Sequence, residues 1–196
     1  YRTTKNILDT ASNLISNNTN RVGKKLWSSA NQGELVKLNC YRTGKEEAQG
    51  VSDIIEQKFA DILARIMNAD FAAIPSEYDR AANLEYPGGI STLSHDGADQ
   101  FWMGLRASFP DAKFKIHHQI GREDPFMPPR AALRWSLNGK HAGWGSYGAP
   151  TGADVYIFGA THVEFGAVSG DIPKIRREWT LFDETAIWKQ ILIKTG

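Results

Sequence analysis

The clearest periodicity in the chain begins at Ser52. Ile54, Ile55, Phe59, Ile62, Leu63, Ile66 and Met67 recur at the i, i+3, i+4 spacing that lays an apolar stripe along a helix, and Ser52 is a residue type that caps helix starts. Asp70–Ala82 reads as irregular, and Tyr86-Pro87-Gly88-Gly89 as a turn. Asp96–Ser108 predicts a second helix with Phe101, Trp102 and Leu105 on one side, Asp96 as its cap and Phe109-Pro110-Asp111 as its end. After Asp111 the period falls to two, as in strands whose alternate side chains face one core. Lys113–Ile120 groups Phe114, Ile116, His118 and Ile120, and Ala131–Asn138 groups Leu133, Trp135 and Leu137. Val155–Phe165 groups Val155, Ile157, Thr161, Val163 and Phe165. Lys174–Phe182 groups Ile175, Arg177, Trp179 and Leu181, and Ala186–Ile193 closes the pattern as a short helix. Helices first and long antiparallel strands afterwards predict an α+β domain, with helices against one face of a curved sheet.

Residues 1–50 have a different character. Leu8, Ala11, Leu14 and Ile15 space a short amphipathic helix over Thr4–Ser16, which the turn-formers Asn17-Asn18-Thr19-Asn20 end. A second apolar patch, Leu26-Trp27 and Leu35-Val36-Lys37-Leu38, precedes the polar run Thr43–Gly50. Charge divides at the same place. The first fifty residues hold eight Lys/Arg and four Asp/Glu, the remainder fifteen and eighteen, so a net +1 chain is mildly basic in front and mildly acidic behind. We therefore expect an appendage, or the tail of an upstream domain, at 1–50 and the main domain at 51–196. The chain begins at Tyr1, as a processed or partial chain would.

Composition narrows the chemistry by exclusion. A 196-residue chain with 41% hydrophobic and 23% charged residues is of ordinary globular make-up. No run approaches the roughly 18 apolar residues of a membrane span, and near-neutral charge argues against a nucleic-acid binder, so neither partner is expected. One cysteine, Cys40, forms no intrachain disulfide and no cysteine-based zinc site, which suits a cytoplasmic chain. There is no phosphate-binding glycine loop and no G-x-S-x-G elbow, and His117-His118 should point to opposite faces of a strand. Neither a metal nor a cofactor is expected.

Several motifs follow one another in a telling order: Phe101-Trp102, Phe109-Pro110-Asp111, Trp135 through Gly143, Ala149-Pro150-Thr151-Gly152, His162-Val163-Glu164-Phe165, and Trp179 through Asp183 before Trp188. This order resembles the SnoaL-like polyketide cyclases of the nuclear transport factor 2-like superfamily, over about residues 52–193. The resemblance implies a cone-shaped α+β barrel, a curved antiparallel sheet packed on N-terminal helices, with an apolar pocket. It also implies cofactor-free aldol ring closure, and a homodimer formed through the outer face of the sheet.

In that family an aspartate just before a Trp in the last strand is the general acid/base; here the residue before Trp179 is Glu178, whose carboxyl lies about one bond further out, so the match is chemical rather than geometric. Burial among apolar side chains would raise its pKa into the working range. Alternation places it out of phase with Ile175, Trp179 and Leu181, which leaves a solvated place in the Arg176-Arg177-Glu178 cluster as the competing reading. His162 resembles the strand histidine that holds substrate oxygen, but an ungapped count puts that position at Thr161, on the opposite face. A bulge near Gly159 would bring His162 inward. His118, grouped with Phe114 and Ile116, is a third catalytic candidate, or a core histidine bonded to backbone. Trp135, Trp179, Phe114 and Thr161 are candidate pocket walls for a small apolar or polycyclic ligand. Asp183 reads as a helix cap, and His141 as an exposed turn residue.

The expected function is a cofactor-independent small-molecule cyclase or isomerase, of the lyase or isomerase class, acting in secondary metabolism by general acid/base chemistry in an aromatic-lined pocket. A non-catalytic ligand- or partner-binding module is the alternative. An epoxide hydrolase is a further one, which would need an Arg between two carboxylates; Arg134 and Asp183 are its poor candidates.

Overall fold

The computed structural model describes residues 4–16, 32, 44–124, 126–166 and 173–196. The chain divides into two compact units, 1–42 and 43–196. In the first, helix α1 spans Lys5–Ser16, where the spacing of Leu8 and Ala11 places it. The apolar patch at 26–38, the Asn17-Asn18-Thr19 turn and Cys40 lie outside the described residues.

The second unit opens with α2, Gly44–Met67. Ser52 is inside this helix rather than at its start, because the upstream Lys-Glu-Glu-Ala-Gln run is made of strong helix formers. Ile55, Phe59, Ile62, Leu63, Ile66 and Met67 are buried as their spacing requires, while Ile54 stays in solvent. A short α3, Ala73–Glu77, leads directly into β1, Tyr78–Tyr86. That strand occupies the stretch expected to be irregular. Pro87–Gly89 turns the chain through left-handed Gly88 and Gly89 into β2, Ile90–Leu93. Helix α4, His95–Ser108, is capped by the Ser94 side chain, which accepts from the Asp96 N–H; Asp96 is therefore first-turn and not the cap. Strands β3 (Lys113–Arg122), β4 (Arg130–Lys140), β5 (Asp154–Phe165) and β6 (Ile175–Phe182) follow, then α5, Glu184–Thr195. The Asp183 side chain does cap α5, accepting from the Ala186 N–H.

The strands form one curved, unclosed, six-stranded sheet in the order β2-β1-β6-β5-β4-β3. All neighbours are antiparallel except β1 and β6, which run parallel. The α+β class and the helix-backed curved sheet are as expected.

Register decides which side chains face the core. Between β4 and β5 it is unbroken from Arg130↔Glu164 to Lys140↔Asp154, and the alternation read from sequence holds: Leu133, Trp135 and Leu137, with Val155, Ile157, Thr161 and Val163, are buried. Gly159 is not a bulge. It faces Trp135 across the ladder, and a Cβ there would lie 2.5 Å from the indole. Register shifts do occur elsewhere, between β1 and β6 from Tyr78 to Asn83 and at a bulge in each of β3 and β6. Ile116 pairs with Trp135 but His118 with Arg134, so β3 holds an extra residue. Gln119 and Gly121, not His118 and Ile120, then turn toward α2: the Gln119 amide donates to Glu56 at 3.2 Å, and a Cβ on Gly121 would meet the Ser52 carbonyl at 2.0 Å. In β6, Glu164 pairs with Arg177 but Phe165 with Ile175, which makes Arg176 the extra residue. Ile175, Glu178 and Thr180 consequently face inward, and Leu181 is 68% exposed.

Gly159→Ala is expected to push the Trp135 ring from its place and to lower stability by about 1–3 kcal/mol, the usual range for overpacking. Urea unfolding followed by tryptophan fluorescence measures this.

Candidate active site

The β6 bulge turns Glu178 into the interior, where it is 0% exposed. An ionised carboxylate there is costly unless donors surround it. Strand β1 and β6 itself contribute them. From β1, Tyr78 donates its hydroxyl to Glu178 Oε2 at 2.7 Å and Tyr86 to the same oxygen at 3.3 Å. From β6 itself, the Thr180 hydroxyl donates to Oε1 at 2.8 Å. Thr180 is 3.0 Å from the Thr161 hydroxyl on β5, which in turn accepts from Trp135 Nε1 on β4 at 3.0 Å. Trp102 of α4 turns its indole N–H toward the same cluster without closing a hydrogen bond of good geometry.

Burial pushes the Glu178 pKa up to about 7, and the donors Tyr78, Thr180, Tyr86 and Trp102 restrain it. The two tyrosines are moved well above the ordinary phenol range, first by burial and then by the negative field of Glu178. A carboxyl group poised near neutrality beside hydroxyls that stay protonated can take or give a proton at physiological pH.

Aromatic rings continue from this cluster to the surface. Tyr86 stacks on Phe101 at 3.8 Å and 10°, and Phe101 meets Trp102 edge-on at 4.9 Å. Tyr86 and Phe101 form one wall of a cavity of about 410 Å³, completed by Ile90, Ser91, Thr92, Gly97, Gln100 and Ser146. That volume suits a small, largely apolar ligand.

The structure brings together three of the residues singled out from sequence, Glu178, Thr161 and Trp135, with half-buried Phe114 against Trp135 at 6.0 Å. It separates the others. His118 is exposed on the far face of β3, opposite Arg134, because the bulge reverses its phase. His162 and Trp179 stack on each other at 5.2 Å on the outer face of the sheet, since the unbroken β4–β5 register leaves His162 outward and the β6 bulge turns Trp179 out with it. His117 is exposed too, 2.8 Å from Ser136, so the two adjacent histidines do not take opposite faces as a regular strand would have them. His141 is buried rather than exposed: the following loop folds back on it, with its Nδ1 3.1 Å from Thr151 and its ring against Phe109. Arg134 is exposed and Asp183 is occupied as a cap, so these two do not form the hydrolase arrangement.

Sequence reading missed Tyr78, Tyr86 and Thr180. Ala82, Leu84 and Tyr86 alternate inward and carry a strand signal, but exposed Arg80 and the register shift between Tyr78 and Asn83 break the phase that would join Tyr78 to them. Thr180 could be placed inward only by knowing the bulge.

Glu178 also ties stability to pH. Its proton is held to about 7 in the folded state against an ordinary value of 4.5, so the unfolded chain releases it first and stability falls as pH rises through this window. The expected loss is about 3 kcal/mol at 1.36 kcal/mol per pKa unit, levelling above the folded value. Urea titrations at several pH values measure it, and Glu178→Gln is expected to lack this slope.

Three comparisons place the chain among known proteins. A SnoaL-like polyketide cyclase from Jannaschia sp. CCS1, known as a proposed member, superposes with a TM-score of 0.54 at 13% identity, over 70% of this chain and 93% of that one. AclR, a proposed hydroxylase from Streptomyces galilaeus, superposes with a TM-score of 0.58 at 18% identity, over 72% of this chain and 98% of its own. At such identities the likeness shows the fold. Over 57 residues, 29% of the chain, the sequence is 44% identical to a probable DNA helicase II homolog of Rickettsia conorii; the match covers 9% of that protein, so the chain spans less than a tenth of its length. The family model of the SnoaL-like polyketide cyclases matches residues 57–191, more than half of the chain, and the protein belongs to that family.

Proposed function

We propose that residues 51–196 form a cofactor-independent cyclase or isomerase acting on a small apolar or polycyclic ligand by general acid/base chemistry, with Glu178 as the acid/base group. The observation that carries this reading is the buried carboxyl with a pKa of about 7, hydrogen-bonded to a tyrosine that also lines a 410 Å³ cavity. As a carboxylate it removes a proton next to a ligand carbonyl; as an acid it returns one to the ring-closed or rearranged product. Phe101 lines the cavity beside Tyr86 and presents a flat face to rings, while the buried Trp102 and Trp135 pack behind it and exclude water. His162 and His118 have no part in the proton transfer, because they lie on the other side of the sheet.

A second reading, a ligand-binding module without chemistry, draws on one observation. Glu178 is closed from solvent, and the cavity meets Tyr86 rather than the carboxylate. Exchange of enolisable protons separates the two. With polycyclic ketones in D₂O, NMR should show catalysed deuterium uptake beside the carbonyl, rising with pH and levelling above about 7 as Glu178 ionises. Glu178→Gln should slow it by about 10²–10⁴ with the fold intact. Ligand binding with no exchange by the unaltered protein would favour the module.

The outer face of the sheet exposes Tyr156, Phe158 and Leu181 beside the His162–Trp179 stack. This supports a homodimer through that face. Among the described residues no helix is long and apolar enough to cross a membrane. The expected dimer should be seen by sedimentation, and Phe158→Asp with Leu181→Asp should give monomers that keep the circular dichroism of the parent.

A further inference from the structure

The two oxygens of Glu178 have unlike neighbours. On the Oε1 side runs a one-way chain. The Trp135 indole N–H can only donate, so Thr161 Oγ1 accepts there. With Glu178 ionised, Thr180 must donate to Oε1, and Thr161 then donates to Thr180. Reversing the chain would leave the Thr161 hydroxyl hydrogen without an acceptor inside the core, which is costly. Oε1 is thereby held as an acceptor in both protonation states. Oε2 accepts from the two phenols, beside which the Trp102 indole lies, and a phenol oxygen can accept as well as donate. Both tyrosines are buried, at 1% and 4% exposure, but of the two only Tyr86 lines the cavity.

We propose that the Trp135–Thr161–Thr180 chain confines the labile proton of Glu178 to Oε2, and that Tyr86 carries this proton to and from a ligand in the cavity. The proposal rests on the reading of Glu178 as the acid/base group and names the residue that touches the ligand. In the forward step the C–H bond beside a ligand carbonyl breaks and its proton bonds to the Tyr86 oxygen. The Tyr86 hydroxyl proton moves at the same time to Oε2, and the electron pair stays on the ligand as an enolate. The return step reverses each transfer. Tyr86 remains a neutral phenol at both ends of the transfer, in keeping with its raised pKa. Thr161 and Thr180 touch no ligand and are positioning residues. The groups acting on Glu178 are Tyr78 and Tyr86 from β1, Thr180 from β6 and Trp102 from α4, and of these only the tyrosines titrate.

Two measurements test this without any turnover. In protein with ¹³C-labelled glutamate side chains, NMR titration of Glu178 should move upward by about one unit, a tenfold change in its protonation equilibrium, in Thr161→Val, and return in Thr161→Ser. Trp135→Phe should move it the same way by less, and serves if the valine variant does not fold. Infrared spectroscopy of the Glu178 carboxyl after a pH jump should show proton equilibration slowed by roughly tenfold or more in Tyr86→Phe, and far less in Tyr78→Phe. An unmoved titration in the relay variants, or equal slowing by the two tyrosine variants, overturns the proposal. Absence of ketone exchange in the unaltered protein would overturn the acid/base reading instead, and leaves these two results intact.

Discussion

A carboxylate with no solvent contact governs the interior of this protein. Removing Glu178 from water disfavours its charge, and the surrounding structure answers with hydroxyl donors from two strands and an indole from a helix. The compensation is incomplete, which is why the group titrates near neutrality instead of remaining fully ionised. Stronger donors or a nearby guanidinium would have made an inert anion, and a purely apolar pocket would have made an inert acid. Neutral phenols and a threonine give an intermediate field, and that intermediate value is useful for moving protons.

One extra residue in β6 makes this possible. With side chains alternating strictly from Ile175, the strand would have offered Arg177 and Trp179 to the core and Glu178 to solvent. The insertion of Arg176 into the ladder reverses the phase for everything after it, so that the Arg pair stays outside and the carboxylate goes in. The bulge in β3 works in the opposite sense. It removes His118 from the interior and brings Gly121 against α2, where only a glycine fits.

These two bulges mark the limit of what the sequence discloses. Strands β4 and β5 were legible because their shared register is unbroken, so Trp135, Thr161 and Val163 lie where alternation puts them. Glu178 could be found through a family resemblance while its orientation was misread, since no residue near Arg176 announces a bulge. The β1 tyrosines were lost differently. Their strand begins without a turn at the end of α3 and carries charged Asp79 and Arg80 near its start, so its period was masked. Helix α2 shows the converse: its apolar stripe was plain, yet its first turns were hidden by residues that carry no apolar phase.

The parallel pairing of β1 with β6 also orders events in time. Tyr78 and Tyr86 lie 100 and 92 positions from Glu178 along the chain, and their hydrogen bonds close the longest loops in the cluster. Such contacts form late, after local helices and the neighbouring hairpin strands have gathered. During synthesis β1, α4 and the β3–β5 meander leave the ribosome before the last strand exists. Glu178 thus meets a largely prepared apolar surface and surrenders its water in the closing move of folding. Charge burial and completion of the sheet are then one event, and a chain that stalls before it keeps an ordinary, solvated glutamate.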